Sequence, residues 1–156
     1  MNEELHIRPA HIEDARLLFE WRNDEATRRA SVTTAPLIWE EHLEWLSKVL
    51  NGEFPGRSIY IVEIEGEPAG TVRSDERQDG FTEISYAVSP QWRGKGLGKR
   101  MVIVFVAQYL RGKKLAARIK KGVNPASEAI AHSLGLAPFA EIPSGESNEP
   151  PTVEWR

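Results

Sequence analysis

Between Val88 and Met101 the chain reads Val-Ser-Pro-Gln-Trp-Arg-Gly-Lys-Gly-Leu-Gly-Lys-Arg-Met. An apolar strand ends there, a turn with glycine at positions 94, 96 and 98 follows, and an apolar helix opens. A helix entered through such a turn points backbone N–H groups without helical acceptors at any anion in front of it. Alternating glycines also let a ligand's phosphates come closer to the main chain than side chains would permit. The segment thus requires a strand, turn and helix unit that cradles a phosphorylated ligand.

Spacing removes two familiar cradles. A P-loop needs Ser or Thr after its Gly-Lys, but Arg100 follows Gly98-Lys99, and Arg93 stands where the first glycine belongs. A dinucleotide fingerprint needs a glycine three residues beyond Gly96, where the chain has Lys99. Composition narrows the class further. With 156 residues, 40% of them hydrophobic and 28% charged, the chain is sized for a single domain, residues 1–156. It contains no cysteine, which excludes disulfides, thiolate metal sites and acyl-cysteine intermediates, and no metal is expected. A net charge of -3 argues against a nucleic-acid partner. No apolar run has spanning length and no signal-peptide pattern opens the chain, so the expected location is cytoplasmic, with no membrane partner. Basic residues do gather locally. Lys95 and Lys99, beside the turn, are expected to touch phosphate, whereas Lys113 and Lys114 read as a solvated face.

Periodicity supplies the remaining elements. Leu5 to Arg8 reads as a strand, and His11 to Asp24 as a helix through Ile12, Ala15, Leu18, Phe19 and Trp21. After a polar stretch containing Ser31, Thr33 and Thr34, Trp39 to Leu50 forms a second helix. Ser58 to Glu63 and Ala69 to Arg73 make a hairpin about Glu65-Gly66-Glu67-Pro68, and Phe81 to Val88 is the strand entering the turn. The helix beyond the turn is expected to bury Leu97, Met101, Val104 and Phe105. Leu115 to Ile119 is a strand, Asn124 to Leu134 a short helix closed by Gly135, and Thr152 to Trp155 a last strand.

Arg-x-x-Gly-x-Gly, read as Arg93, Gly96 and Gly98 after a strand ending Ala-Val-Ser-Pro, resembles the coenzyme turn of the GCN5-related N-acetyltransferase superfamily. The order of elements is similar across nearly the whole chain. The resemblance implies an α+β fold: a central twisted, mixed, mostly antiparallel sheet of six to seven strands flanked by four helices. It implies acetyl-CoA as donor co-substrate, with its pyrophosphate on Arg93 and the backbone of Gly94, Lys95, Gly96, Leu97, Gly98 and Lys99. Tyr86, Ala87 and Val88 would border the acetyl group and pantetheine arm. Asn124, in Asn-Pro-Ala-Ser, matches the family's Asn-x-x-Ser and would contact that arm, although Asn there also serves as a helix N-cap.

Acetyl transfer to an amine sets chemical requirements. A protonated amine must lose a proton before it attacks, and the tetrahedral oxyanion needs a donor. Without cysteine, direct attack in a ternary complex is expected. The resemblance makes Glu83 the first candidate base and the Val88 N–H the oxyanion donor, while Glu83 as a solvent-facing strand residue stays open. Many relatives carry a tyrosine that protonates the coenzyme sulfur four residues before a Gly-Phe pair. Here the pair is Gly135-Leu136 and that position is Ala131, leaving Tyr86 and His132 as substitutes.

The run Leu17 to Asp24, with Trp39 to Trp45 and Val72-Arg73, looks like the branch holding ribosomal-protein alanine acetyltransferases and sugar-nucleotide amine acetyltransferases of the pseudaminic acid pathway. The acceptor expected from that likeness is a small-molecule primary amine, with a nucleotide-linked amino sugar first. Arg22 and Arg73 would meet its phosphates and Trp39 or Trp45 its ring, with core packing favoured for Trp45. Acetylation of a protein amino terminus and a non-catalytic acyl-CoA-binding domain are the alternatives. A homodimer is compatible with either.

Overall fold

The computed structural model describes residues 4–31, 34–145 and 148–156. Thr33, from the polar stretch before the second helix, lies outside them. Seven strands form one sheet in the order β1-β2-β3-β4-β5-β7-β6. They are β1 (Leu5–Pro9), β2 (Arg57–Ile64), β3 (Glu67–Glu76), β4 (Phe81–Val88), β5 (Lys114–Lys120), β6 (Pro138–Ile142) and β7 (Thr152–Trp155). Every neighbouring pair is antiparallel except β4 and β5.

Side chains alternate across this sheet and build a core on each face. Ile59 and Ile61 of β2 meet Leu18 and Trp21 of α1 (Ala15–Asn23) and Leu46 and Val49 of α3 (Trp39–Leu50). Val62 and Val72 instead meet Met101, Val102 and Phe105 of α4 (Leu97–Tyr109). Val102 completes the buried stripe of α4, because it lies one residue past Met101 on the arc facing the sheet, while Val104 is only half-buried against the same core. Phe105 is fully buried, and truncating it to Ala would cost about 3–5 kcal/mol.

Two elements depart from the sequence-based expectation. The first helical stretch divides: a short turn precedes α1, and a separate helix α2 (Glu25–Ala30) follows, giving five helices with α5 (Pro125–Ser133) instead of four. Asp24 breaks the chain with extended backbone (ψ 136°), and its carboxylate accepts the Thr27 N–H as N-cap of α2. Strand β6 was also unforeseen. All five of its residues are exposed and it pairs only with β7, so no burial pattern marks it.

Candidate active site

Parallel strands β4 and β5 pair at only three positions, Phe81 with Lys114, Thr82 with Leu115 and Glu83 with Ala116. Both strands continue, β4 to Val88 and β5 to Lys120, so beyond Glu83 they run on unpaired with each other. A cleft of about 1070 Å³ opens between them, lined by Glu83 to Val88, Ala117 to Ile119, the glycine turn and residues of α1, α2, α4 and α5.

Unpaired strand edges carry polar backbone groups. The Ser89 N–H donates to the Ala69 carbonyl at 2.8 Å. In an antiparallel ladder every second residue is bonded in this way, so Ala87 and Ser85 face β3 while the N–H groups of Tyr86 and Val88 turn toward the open edge. The turn beyond adds further donors. Gly94 and Gly96 hold φ of 74° and 76°, a region that strains other residues. Gly96 is the N-cap of α4 and its carbonyl accepts the Arg100 N–H at 3.4 Å, so the N–H groups of Leu97, Gly98 and Lys99 in the first turn have no helical acceptor. Gly98 is required for a different reason. A Cβ there would sit 3.1 Å from the Tyr86 ring, so glycine lets helix and strand close together. This set of donors, open to the cleft and free of a covering Cβ, fits a pyrophosphate.

Most of the residues expected around the donor line this cleft: Tyr86, Ala87, Val88, Arg93, Gly94, Gly96, Leu97, Gly98, Lys99 and Asn124. Leu97 contributes backbone, because its side chain is buried in the core. Lys95 lies outside the lining and is exposed, its ammonium 5.1 Å from the Trp92 ring centre. The Arg93 guanidinium reaches across to the Asp24 carboxylate and to Thr27 Oγ1 at 3.1 Å, tying the turn to α2. Burial works against ionisation of Asp24, but the bonds from Arg93 and the Thr27 N–H outweigh it and hold its carboxyl below the ordinary range.

Asn124 does cap α5, its side-chain oxygen accepting the Ser127 N–H at 3.1 Å. Ser127 then shares a 2.8 Å hydrogen bond with the Tyr86 hydroxyl. Burial pushes the Tyr86 phenol up from its usual value, with the Ser127 bond opposing. His132 is exposed and lies outside the cleft lining, whereas Ala131 is part of it. Glu83 stands at the last paired position before the strands part, 3.4 Å from Arg77 and 3.5 Å from Arg118. The Arg118 contact joins residues 35 apart in the chain and has no local sequence signal.

Both tryptophans pack against the core between α1, α3 and the sheet, as expected for Trp45, but it is Trp45 and not Trp39 that also reaches the cleft. Trp39 lies outside the cleft lining, packed edge-on to Phe19 at 5.4 Å with Arg16 over its ring. Trp45 lines the cleft, with Arg22 at 4.4 Å and Arg73 at 5.5 Å from its ring centre. Six residues on a helix leave two side chains about 120° apart, so one indole faces the cleft and the other faces α1. Arg73 also bonds Asp75 at 2.9 Å, and Arg57 reaches the same carboxylate at 2.6 Å. Burial, and then the charges of Arg73 and Arg57, push the Arg22 guanidinium down to about 10.

The fold has counterparts among solved structures. The chain superposes on a ribosomal-protein-alanine N-acetyltransferase from Brucella melitensis with TM-score 0.77 and 22% identity, covering 96% of this chain and 97% of that one. A putative acetyltransferase from Salmonella typhimurium, solved with acetyl-CoA, gives TM-score 0.75 at 22% identity over 97% and 91%. A spermidine N-acetyltransferase from Vibrio cholerae, solved with CoA and spermine, gives 0.83 at 15% over 99% and 94%. No curated protein matches. Residues 4–137 match the family described as the acetyltransferase (GNAT) domain, and the chain belongs to that family.

Proposed function

We propose that the protein is an acetyl-CoA-dependent N-acetyltransferase that acts on the primary amine of a small acceptor by direct attack in a ternary complex. One observation carries the reading: the open edge of β4 and the glycine turn present their unpaired N–H groups to the same cleft. An acyl thioester needs such a surface, with pyrophosphate at the turn and the carbonyl beside the strand.

The roles follow from position. The Val88 N–H donates to the oxyanion that forms as the amine nitrogen bonds to the carbonyl carbon. Glu83 passes one ammonium proton to solvent, directly or through water. As the carbon–sulfur bond breaks, Tyr86 protonates the thiolate and recovers a proton that leaves the new amide nitrogen. The Tyr86 phenol is protonated at neutral pH at its ordinary value, as an acid must be, and burial pushes it further up. Asn124 orders Ser127, which orients that phenol.

For the acceptor, a nucleotide-linked amino sugar is the leading class. The cleft wall formed by Arg22 and Arg73 over the Trp45 ring supports it by offering cations for phosphate. Neighbouring folds serve acceptors as different as a ribosomal-protein alanine and spermidine, so fold alone leaves the acceptor open.

Thiol release from acetyl-CoA, followed across amino sugars, nucleotide amino sugars, peptides with free amino termini and polyamines, tests the reading. Stimulation by a nucleotide amino sugar is expected. Stimulation by peptides alone would favour protein amino termini, and coenzyme binding with no stimulation by any amine would reject catalysis.

A further inference from the structure

Six cationic side chains line the cleft, Arg22, Arg28, Arg73, Arg93, Lys99 and Arg118, against two carboxylates, Asp75 and Glu83. Both carboxylates are already engaged: Asp75 by Arg57 and Arg73, Glu83 by Arg77 and Arg118. The arginines toward the α1 side are less evenly served. Among the described residues Arg22 has no hydrogen bond or ion pair, and its guanidinium lies over the Trp45 ring at 4.4 Å. Arg73 lies over the same ring and shares its single carboxylate with Arg57. Two guanidiniums on one indole repel each other, and partial burial of Arg22 weakens the screening that water would give. A guanidinium laid flat over an aromatic ring keeps its N–H edge free to bond an oxyanion in its own plane.

We propose that Arg22 and Arg73, laid on Trp45, clamp an oxyanion carried by the acceptor, a phosphate or a carboxylate, and that this clamp selects anionic amines over polyamines. The proposal rests on the acetyltransferase reading and adds what the enzyme recognises. Asp75 is a positioning residue here. By holding Arg73 and Arg57 it fixes one half of the clamp and leaves Arg22 as the half that no protein carboxylate neutralises. A polycation entering the cleft would meet this surplus of positive charge and, among the described residues of the lining, no carboxylate without an arginine partner, which disfavours it by like-charge repulsion.

The test uses the full chain at saturating acetyl-CoA. kcat/KM is compared for an amino sugar, its phosphate ester, its nucleotide diphosphate, a short peptide with a free amino terminus and a carboxylate, and spermidine. The phosphorylated or carboxylated amines are expected to exceed the neutral amino sugar and spermidine by at least about tenfold, the worth of one charged hydrogen bond. Phosphate and peptide arms distinguish the two sources of the oxyanion. In Arg22→Gln the ratio of charged to uncharged amino sugar should fall toward one, and Arg22→Lys should restore part of it. A wild-type arm keeps the test independent of the variants' folding: inorganic pyrophosphate should compete with the acceptor even when acetyl-CoA is saturating.

Equal kcat/KM for charged and uncharged amines, a preference for spermidine, or pyrophosphate inhibition relieved entirely by acetyl-CoA would overturn the clamp while leaving the acetyltransferase reading intact. Absence of thiol release with every amine would overturn both.

Discussion

Lys120 fastens the end of β5 to the last turn of α2: its buried ammonium donates to the Arg29 carbonyl at 3.1 Å and to the Glu149 carboxylate at 3.0 Å. The opposite end of α2 is tied by Asp24 to Arg93, just past the end of β4. Helix α2 buries none of its own residues, so these polar ties hold it across the mouth of the parted strands.

Lys120→Met keeps the volume and removes the tie, leaving the Arg29 carbonyl and Glu149 without that donor. Amide hydrogen exchange in residues 25–30 should speed up, the acceptor KM should rise, and stability should fall by about 1–3 kcal/mol. Exchange in α2 indistinguishable from wild type would show that the tie does not hold the helix.

Glu83→Gln should lower kcat by about 10²-fold near neutral pH, the usual worth of a positioned base. The two enzymes should converge at pH values where the acceptor amine arrives unprotonated. Little stability should be lost, because Arg77 and Arg118 keep Glu154 as a partner. A pH–rate profile of wild-type shape in the variant would remove Glu83 from the role.

Glu154 of β7 gathers Arg77, Arg156 and Arg118, the first and last of which also reach Glu83, and hydrogen bonding from Arg77, more than the others, pulls its carboxyl down to about 2 despite burial. A carboxylate whose folded value lies below its unfolded value stabilises the fold above the unfolded value. That contribution, about 2–3 kcal/mol, should be present above pH 4.5 and be lost as pH falls toward 2. In Glu154→Gln the melting temperature should be lower at pH 7, and its decline between pH 4.5 and 2 should be shallower than in wild type. Parallel declines in the two proteins would contradict this.

The strand Phe81 to Val88, helix α3 and the strand Thr152 to Trp155 fall where periodicity places them, since each buries one face against the core. Strand β3 runs past its expected end at Arg73 to Glu76, because Ser74 is buried and Asp75 is ion-paired despite their polarity. The sequence Glu-Ala-Thr-Arg-Arg-Ala of α2 has no apolar stripe; its one local sign is Asp24 followed by Glu25, a cap and an acidic first turn. The glycine turn was legible from backbone chemistry alone. The parting of β4 from β5 was not, because pairing between strands distant in sequence leaves no local mark on either one. The choice between Trp39 and Trp45 was equally hidden, since it depends on where α1 and the sheet meet α3.

Calorimetric titration of acetyl-CoA into wild-type protein and Gly96→Glu reads whether the turn from Arg93 to Lys99 holds the donor's pyrophosphate. A Cβ at Gly96 meets nothing within 4 Å, so the fold should survive with about 1–3 kcal/mol lost to the positive φ. The new carboxylate would lie in the path of the phosphates. Binding by wild type and none by the folded variant is the expected result; equal affinity in the two proteins would exclude the turn as the pyrophosphate site.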